Sequence, residues 1–345
     1  MRCRGRAPGR VPDIGWVAMY KYLFLLILFS LVGAAKAASP APGQPAGAGG
    51  AWPVRPVRLI VTFPPGSSTD TTARIIAPKV AELWGQPMVI ENRTGAGGSL
   101  GVSVAAQATP DGYTVVYVSA SFAINAVLRR NAGYDPLRDF VPVTQVGIPT
   151  SVITSAPSLG VKSIKELIAL SHERGGKLLY GSPGAGSGGH MAIESFRSTA
   201  GIKGVHVAYK GQPEIMVELL AGRVHYSVIS LGPGLGLFRD GRLLPLAVLA
   251  PRRSPVLPEV PTLNEILPAF RRDASHMILA PAKSPRNVVA KISRDIARAL
   301  EMPEVRKQLE AIDFIPTPTT PEEADKLLRA QLVMFDEVAR AAGLK

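Results

Sequence analysis

From residue 52 onward the hydrophobic positions of this 345-residue chain follow two alternating rhythms. Short runs rich in Val, Ile, Leu and Tyr predict strands: VRLIVTF (57–63), MVIEN (88–92), YTVVYVSA (113–120), FVPVTQV (140–146), SVITSA (151–156), VHVAYK (205–210), VHYSVISL (224–231) and LLPLAVLA (243–250). Between them lie stretches whose apolar residues recur at helical spacing: TDTTARIIAPKVAELWG (69–85), GGSLGVSVAAQAT (97–109), SIKELIALSHERGG (163–176), GHMAIESFRSTAG (189–201) and QPEIMVELLAG (212–222). Strands followed by helices, with Gly or Pro at the joints, predict an α/β fold built around mainly parallel sheets. Past residue 286 the pattern is helical and broken by Pro303, Pro316 and Pro318; Val288, Val289, Ile292, Ile296, Ala299 and Leu300 mark one face that packs as a layer on a sheet. No repeat recurs at a period of 20 to 50 residues.

The first 51 residues do not share this pattern. Residues 22–32 (YLFLLILFSLV) form an unbroken apolar run, preceded by Lys21 and followed by Ala35-Lys36-Ala37. A basic start, an apolar run too short to span a bilayer and an A-x-A exit predict a secretory signal peptide over 1–37, rather than a membrane anchor. Met19 is an ordinary start for such a leader, which would make 1–18 an upstream extension. Residues 38–51 (ASPAPGQPAGAGGA) are Ala/Pro/Gly-rich without period and read as a flexible tether.

Removing the leader changes the charge and the chemistry. The single cysteine is Cys3, so a chain starting after residue 37 has no thiol for a disulfide, a zinc site or a lipid. Its charge is 33 Lys/Arg against 25 Asp/Glu, or +8, compared with +13 for the whole chain. That balance favours small anions; without a run of like charges or a basic stripe interleaved with aromatics, nucleic acid is not an expected partner.

Candidate chemistry gathers at three strand-to-helix junctions. After VRLIVTF, Pro64 and Pro65 end the strand, Gly66 allows a bend, and Ser67, Ser68, Thr69 and Asp70 are all N-cap types. Gly95, Gly97 and Gly98 precede a helix opening near Ser99, and Ser182, Gly184, Gly186, Ser187, Gly188 and Gly189 introduce one starting near His190. Each junction offers backbone N–H groups at the positive end of a helix dipole, and glycine lets an anion approach the backbone. One such junction is equally a plain helix cap. Three in an open α/β protein, where ligands gather at strand C-terminal ends, predict a carboxylate held without a dedicated Arg clamp.

Other chemistries fit the residues less well. Gly184-Ala-Gly-Ser-Gly-Gly189 matches G-x-G-x-x-G, but VHVAYK ends without the ribose-binding acid of a dinucleotide site, and no P-loop motif occurs. Ser187 resembles a hydrolase nucleophile followed by Asp240, Asp273 and His276, yet it stands about six residues past the strand, where an elbow would put it in the turn itself. The five histidines (172, 190, 206, 225 and 276) lack zinc-motif spacing, and His190 at a helix start reads as a capping or packing residue. Tyr209-Lys210-Gly211 follows a strand, where Lys210 either offers a cation to the same cleft or is solvated at a turn. No cofactor is expected.

RPVRLIVTFPPGSSTDTTAR, ENRTGAGGSLGVSVAAQATPDGYTV, YGSPGAGSGGHMA, VAYKG and PEVPTLNEI closely resemble, in order and spacing, successive blocks of the Bug family. These are the periplasmic extracytoplasmic solute receptors of tripartite tricarboxylate transporters, and the resemblance runs from about Trp52 to the C-terminus. It implies a non-enzymatic, monomeric, two-lobed periplasmic binding protein of type II, a Venus flytrap with mixed, mostly parallel sheets flanked by helices. Lobe 1 would take 52–152 and, after a return, 275–345; lobe 2 would take 153–274, with crossings near 143–156 and 272–281. The implied ligand is a small carboxylate, and the implied partners are the transporter's membrane subunits or a sensor kinase. A secreted serine hydrolase using Ser187 is the enzymatic alternative.

The family's first-lobe pocket maps onto Pro65, Gly66, Ser67, Ser68, Thr69 and Asp70, the Gly97-Gly98-Ser99 turn, and Ser119 and Ser121. Its second-lobe pocket maps onto Ser182, Pro183, Gly184, Ala185, Gly186, Ser187 and Gly188, with Tyr209 and Ser230. Four places depart from the family pattern. Ser67 stands where a glycine is usual; His225, Ile229 and Ser230 stand where members carry Asp, Asp and Asn; Ser275 replaces an aromatic; and Lys283-Ser284 occupies the return turn. Losing the acids removes partners for a ligand ammonium, which disfavours amino acids and favours a plain mono- or dicarboxylate or an aromatic acid.

Overall fold

A computed structural model describes residues 52–129, 131–270 and 274–341. The leader with Cys3, the tether up to residue 51 and Asp273 lie outside the described residues. Two sheets organise the chain. The first has strand order β11-β4-β10-β3-β1-β2, from Phe314–Pro316, Phe140–Pro149, His276–Pro281, Thr114–Ser119, Val57–Val61 and Met88–Asn92 respectively. The second has order β7-β6-β8-β5-β9, from Val205–Ala208, Leu179–Ser182, Tyr226–Ser230, Ser151–Ser155 and Leu244–Val248.

Each sheet contains a parallel trio, β2-β1-β3 in one and β7-β6-β8 in the other, as strand–helix alternation demands. The remaining strands pair antiparallel: β10 with β3 and β4, β11 with β4, and β5 with β8 and β9. The sheets are therefore mixed rather than mainly parallel. In the first sheet β10 and β11 run against the other four strands, β4 among them; in the second only β5, which follows β4 through Thr150 alone, runs against the rest.

The helices used below are α1 (Ser68–Trp84), α2 (Ser99–Ala106), α3 (Ser121–Leu128), α4 (Ile164–Glu173), α5 (Gly188–Ala200), α6 (Gln212–Leu220), α7 (Leu231–Arg239), α8 (Leu263–Ile266), α9 (Arg286–Glu301), α10 (Pro303–Ala311) and α11 (Pro321–Ala341). They cover both faces of each sheet, which explains why the strands read as nearly continuous apolar runs. In β1, Val57, Leu59 and Val61 enter one core while Ile60 enters the core on the opposite face. In β5 and β8, Ile153 and Val228 face one core of the second sheet, and Val152 and Ile229 face the other. The six apolar positions read along α9 are all buried in the first sheet's core, each stabilising by roughly 1–3 kcal/mol relative to exposure.

Candidate functional site

Two serine-capped helices, one from each sheet, meet at a single cleft. At the first, Gly66 adopts φ +77, Ser67 is extended, and its Oγ accepts the Asp70 N–H at 3.3 Å, capping α1. Asp70 faces away from the cleft. Its carboxylate accepts from Gly66 N, Arg74 Nε and Asn92 Nδ2, each at 2.9 Å, while the same Asn92 amide donates to Phe63 O. Burial penalises the Asp70 charge, but these hydrogen bonds together outweigh it and hold its pKa below the ordinary carboxylate value. Asp70 thus acts as the anchor of the turn.

At the second junction Ser187 is extended and its Oγ accepts the His190 N–H at 3.1 Å, capping α5, which starts at Gly188, two residues earlier than the sequence pattern suggests. His190 Nδ1 in turn accepts the Gly186 N–H at 3.3 Å. Its ring stacks on His206 at 4.2 Å, and His206 Nε2 pairs with Ser182 Oγ at 2.6 Å. Burial, with His206 adjacent, pushes the pKa of His190 down to about 4, and burial lowers that of His206 as well. Both rings are neutral near pH 7 and hold the loop together as hydrogen-bond partners.

The cleft measures about 530 Å³ to its open mouth. Of the residues expected at a site, Ser67, Ser68, Thr69, Ser119, Pro183, Ser187, Gly188 and Ser230 line it. Gly97, Gly184, Ala185 and Tyr209 line a neighbouring crevice instead, together with Pro183. Gly98 and Ser121 stand behind the wall: a Cβ on Gly98 would lie 3.2 Å from Ser121 Oγ, which itself pairs with Ser119 Oγ at 2.9 Å. Pro65, Gly66, Asp70, Ser99, Ser182 and Gly186 support the loops without lining the cleft. The glycine junction at 95–98 thus lines the neighbouring crevice rather than this cleft.

That junction meets the other lobe. A Cβ on Gly97 would lie 2.7 Å from Ala185 O, and one on Gly184 would lie 3.2 Å from Gly97 N. Their positive φ values, +64 and +104, suit glycine, and so does this backbone-to-backbone approach.

Several lining residues escaped the sequence reading. Gln212 follows Gly211 at the start of α6, and its Nε2 donates to Ser230 Oγ at 3.0 Å, leaving Oε1 buried without a partner. The signal was present, since Gly211 and Pro213 bracket a helix start of the same kind as the other junctions. Phe63, Pro149, Val228 and Ser151 also line the cleft, as does His276, whose Nδ1 pairs with Tyr117 OH at 3.2 Å. Among the described residues, no Asp, Glu, Lys or Arg lines this cleft, and helix ends, hydroxyls, the Gln212 amide and the His276 imidazole supply its polarity. Among the described residues, no group of three His, Cys, Asp or Glu side chains could hold a metal ion.

The family model described as "Tripartite tricarboxylate transporter family receptor" matches residues 72–344. The chain belongs to that family. The receptor is 33% identical over 297 residues to Protein BugT of Bordetella pertussis, covering 85% of this chain and 91% of that one. Its fold is similar to that of R. palustris Rpa4515, solved with adipate, at TM-score 0.82 and 32% identity over 85% of this chain and 98% of that one. It is also similar to MatC of Rhodopseudomonas palustris, solved with bound malate, at TM-score 0.78 and 28% identity over 83% and 99% of the two chains. The two-lobed periplasmic binding fold and the non-enzymatic character of the family follow from these likenesses.

Ser187 is a helix-capping residue. His190 Nδ1 is engaged by a backbone N–H, and Asp240 is an exposed residue at the C-terminus of α7. Among the described residues, no helix is long and apolar enough to cross a membrane.

Proposed function

We propose that the receptor is exported through its 1–37 leader, captures a small organic carboxylate between its lobes, and delivers it to the membrane subunits of a tripartite tricarboxylate transporter. The observation that carries this reading is the convergence of two serine-capped helix N-termini, α1 and α5, on one cleft that, among the described residues, has no Asp, Glu, Lys or Arg on its lining. Each end supplies N–H donors and about half a unit of positive charge, so a carboxylate is stabilised there without an Arg partner. Closure gains free energy only from a ligand that touches both lobes, which favours a carboxylate long enough to reach from one helix end to the other. Two relatives were solved with dicarboxylates, adipate and malate. Phe63, Pro149 and Val228 suit a short carbon chain, and the unpaired Gln212 Oε1, an acceptor, suits a ligand hydroxyl or a bridging water rather than the carboxylate itself.

Among the described residues a ligand ammonium finds no carboxylate on this lining, so a dicarboxylate should bind at least tenfold more tightly than the amino acid of the same length, because an unpaired buried charge costs more than about 1.4 kcal/mol. Thermal-shift and calorimetric titration with succinate, malate, adipate and aspartate is the test. Equal or tighter binding of aspartate, or no binding by any organic acid in a broad set, overturns this reading.

A further inference from the structure

The two lobes are joined beside the ligand loops by a contact that neither lobe makes alone. Asn125 on α3 is fully buried and donates from Nδ2 to Gly97 O at 3.0 Å and Ser121 O at 2.9 Å. Its Oδ1 accepts Arg129 Nε at 2.8 Å, which aims the guanidinium across the gap, and Arg129 Nη2 donates to Ala185 O at 3.0 Å. The acceptor belongs to the Ala185–Gly186 peptide, whose N–H is held by His190. One peptide of the second lobe is thus clamped from both sides, immediately before the Ser187 cap that lines the cleft.

The packing around this clamp is closed to any side chain. A Cβ on Gly186 would stand 2.3 Å from Asn125 Oδ1, so the amide rests directly on glycine backbone. Met191 of α5 is buried in the same apolar core of the first sheet as Ile124 of α3, which adds apolar packing between the lobes.

We propose that Arg129, oriented by Asn125, is a positioning residue that couples lobe closure to the conformation of the ligand loop at 185–187. The proposal rests on the reading of the protein as a two-lobed receptor. Because the Ala185 partner is reached only when the lobes meet, the bond adds to the closed form and leaves the open form untouched. Arg129→Ala should therefore raise ligand off-rate and Kd about tenfold while leaving on-rate and ligand-free melting temperature unchanged. Arg129→Lys, which keeps a donor and a charge on a shorter reach, should recover part of the loss.

The experiment measures adipate and malate kinetics by stopped flow on the full chain. In parallel, spin labels at Val89→Cys and Val217→Cys, in a Cys3→Ser background, report the interlobe distance with and without those acids. Both label sites are exposed, at 49% and 57%, one on β2 of the first sheet and one on α6, which packs against the second. A faster off-rate and a depleted short-distance population in Arg129→Ala, partly restored by Arg129→Lys, support the proposal. Wild-type off-rate and distances in Arg129→Ala overturn it, and so does a fall in ligand-free melting temperature that accounts for the whole affinity loss. If neither acid binds the wild type, the carboxylate reading fails at that point. The ligand-free distances then decide the clamp, and identical distributions in wild type and Arg129→Ala overturn it.

Discussion

Gly211 offers a way to block closure without disturbing either lobe. Its backbone is extended at φ −178 and ψ 177, a conformation any residue adopts, so adding a side chain strains nothing locally. Yet a Cβ there would sit 2.4 Å from Cγ and 2.7 Å from Cδ of Pro64, which belongs to the turn after β1 in the other lobe. Ordinary contact begins at 3.4 Å, so in Gly211→Ser the two loops must part by about 1 Å. Overpacking of that kind costs about 1–3 kcal/mol, which lowers the closed population by about 5- to 150-fold. Serine is itself a favoured N-cap, so α6 loses nothing. The expected outcome is a Kd for adipate or malate raised by that factor, with the ligand-free melting temperature within about 1 °C of wild type. Trimming the obstacle in Gly211→Ser/Pro64→Ala should return most of the affinity, the non-additivity expected of two residues in contact. A Kd within twofold of wild type for folded Gly211→Ser refutes the reasoning.

Further predictions concern the caps, the anchor and the buried histidines. Ser67→Ala and Ser187→Ala should each cost about 1 kcal/mol of stability, near 2 °C in melting temperature for a protein of this size, and the double variant should show the sum in denaturant titration. Asp70→Ala leaves Gly66 N and one N–H of the Asn92 amide without an acceptor, the other still meeting Phe63 O, and urea unfolding should show a loss of about 2–4 kcal/mol. Because His190 is neutral in the fold down to about pH 4 and ordinarily titrates near 6.5, the unfolded chain binds more protons between those values. Its contribution is full above 6.5 and is lost as pH falls from 6.5 towards 4. His190→Gln should flatten the pH slope of unfolding free energy across that window, and an unchanged slope counts against the assignment.

Much of the fold is a local matter and was legible in the residues. Runs such as VRLIV and TVVYVS are apolar on both faces because both faces are covered, and the α9 stripe needs only its own spacing to declare which side is buried. The caps at Ser67 and Ser187 are equally local, since the serine oxygen and the N–H it accepts lie three residues apart. Blocks such as PPGSSTD and GSPGAGSGG made the family recognisable for the same reason.

Facing relations between distant segments were decided only by the tertiary structure. The glycines at 95–98 have the same composition whether they touch a ligand or another loop, and it is the approach of Ala185 that makes them a seam. Asp70 looks like a pocket residue until Asn92, from β2, turns its carboxylate inward. Arg129 finds its acceptor 56 residues away, and Gln212 meets Ser230 because α6 and β8 are packed side by side. Periodicity and capping are encoded within a turn or two of chain. Which polar group meets which across a cleft depends on how two separately folded sheets are brought together, and no window of sequence contains that geometry.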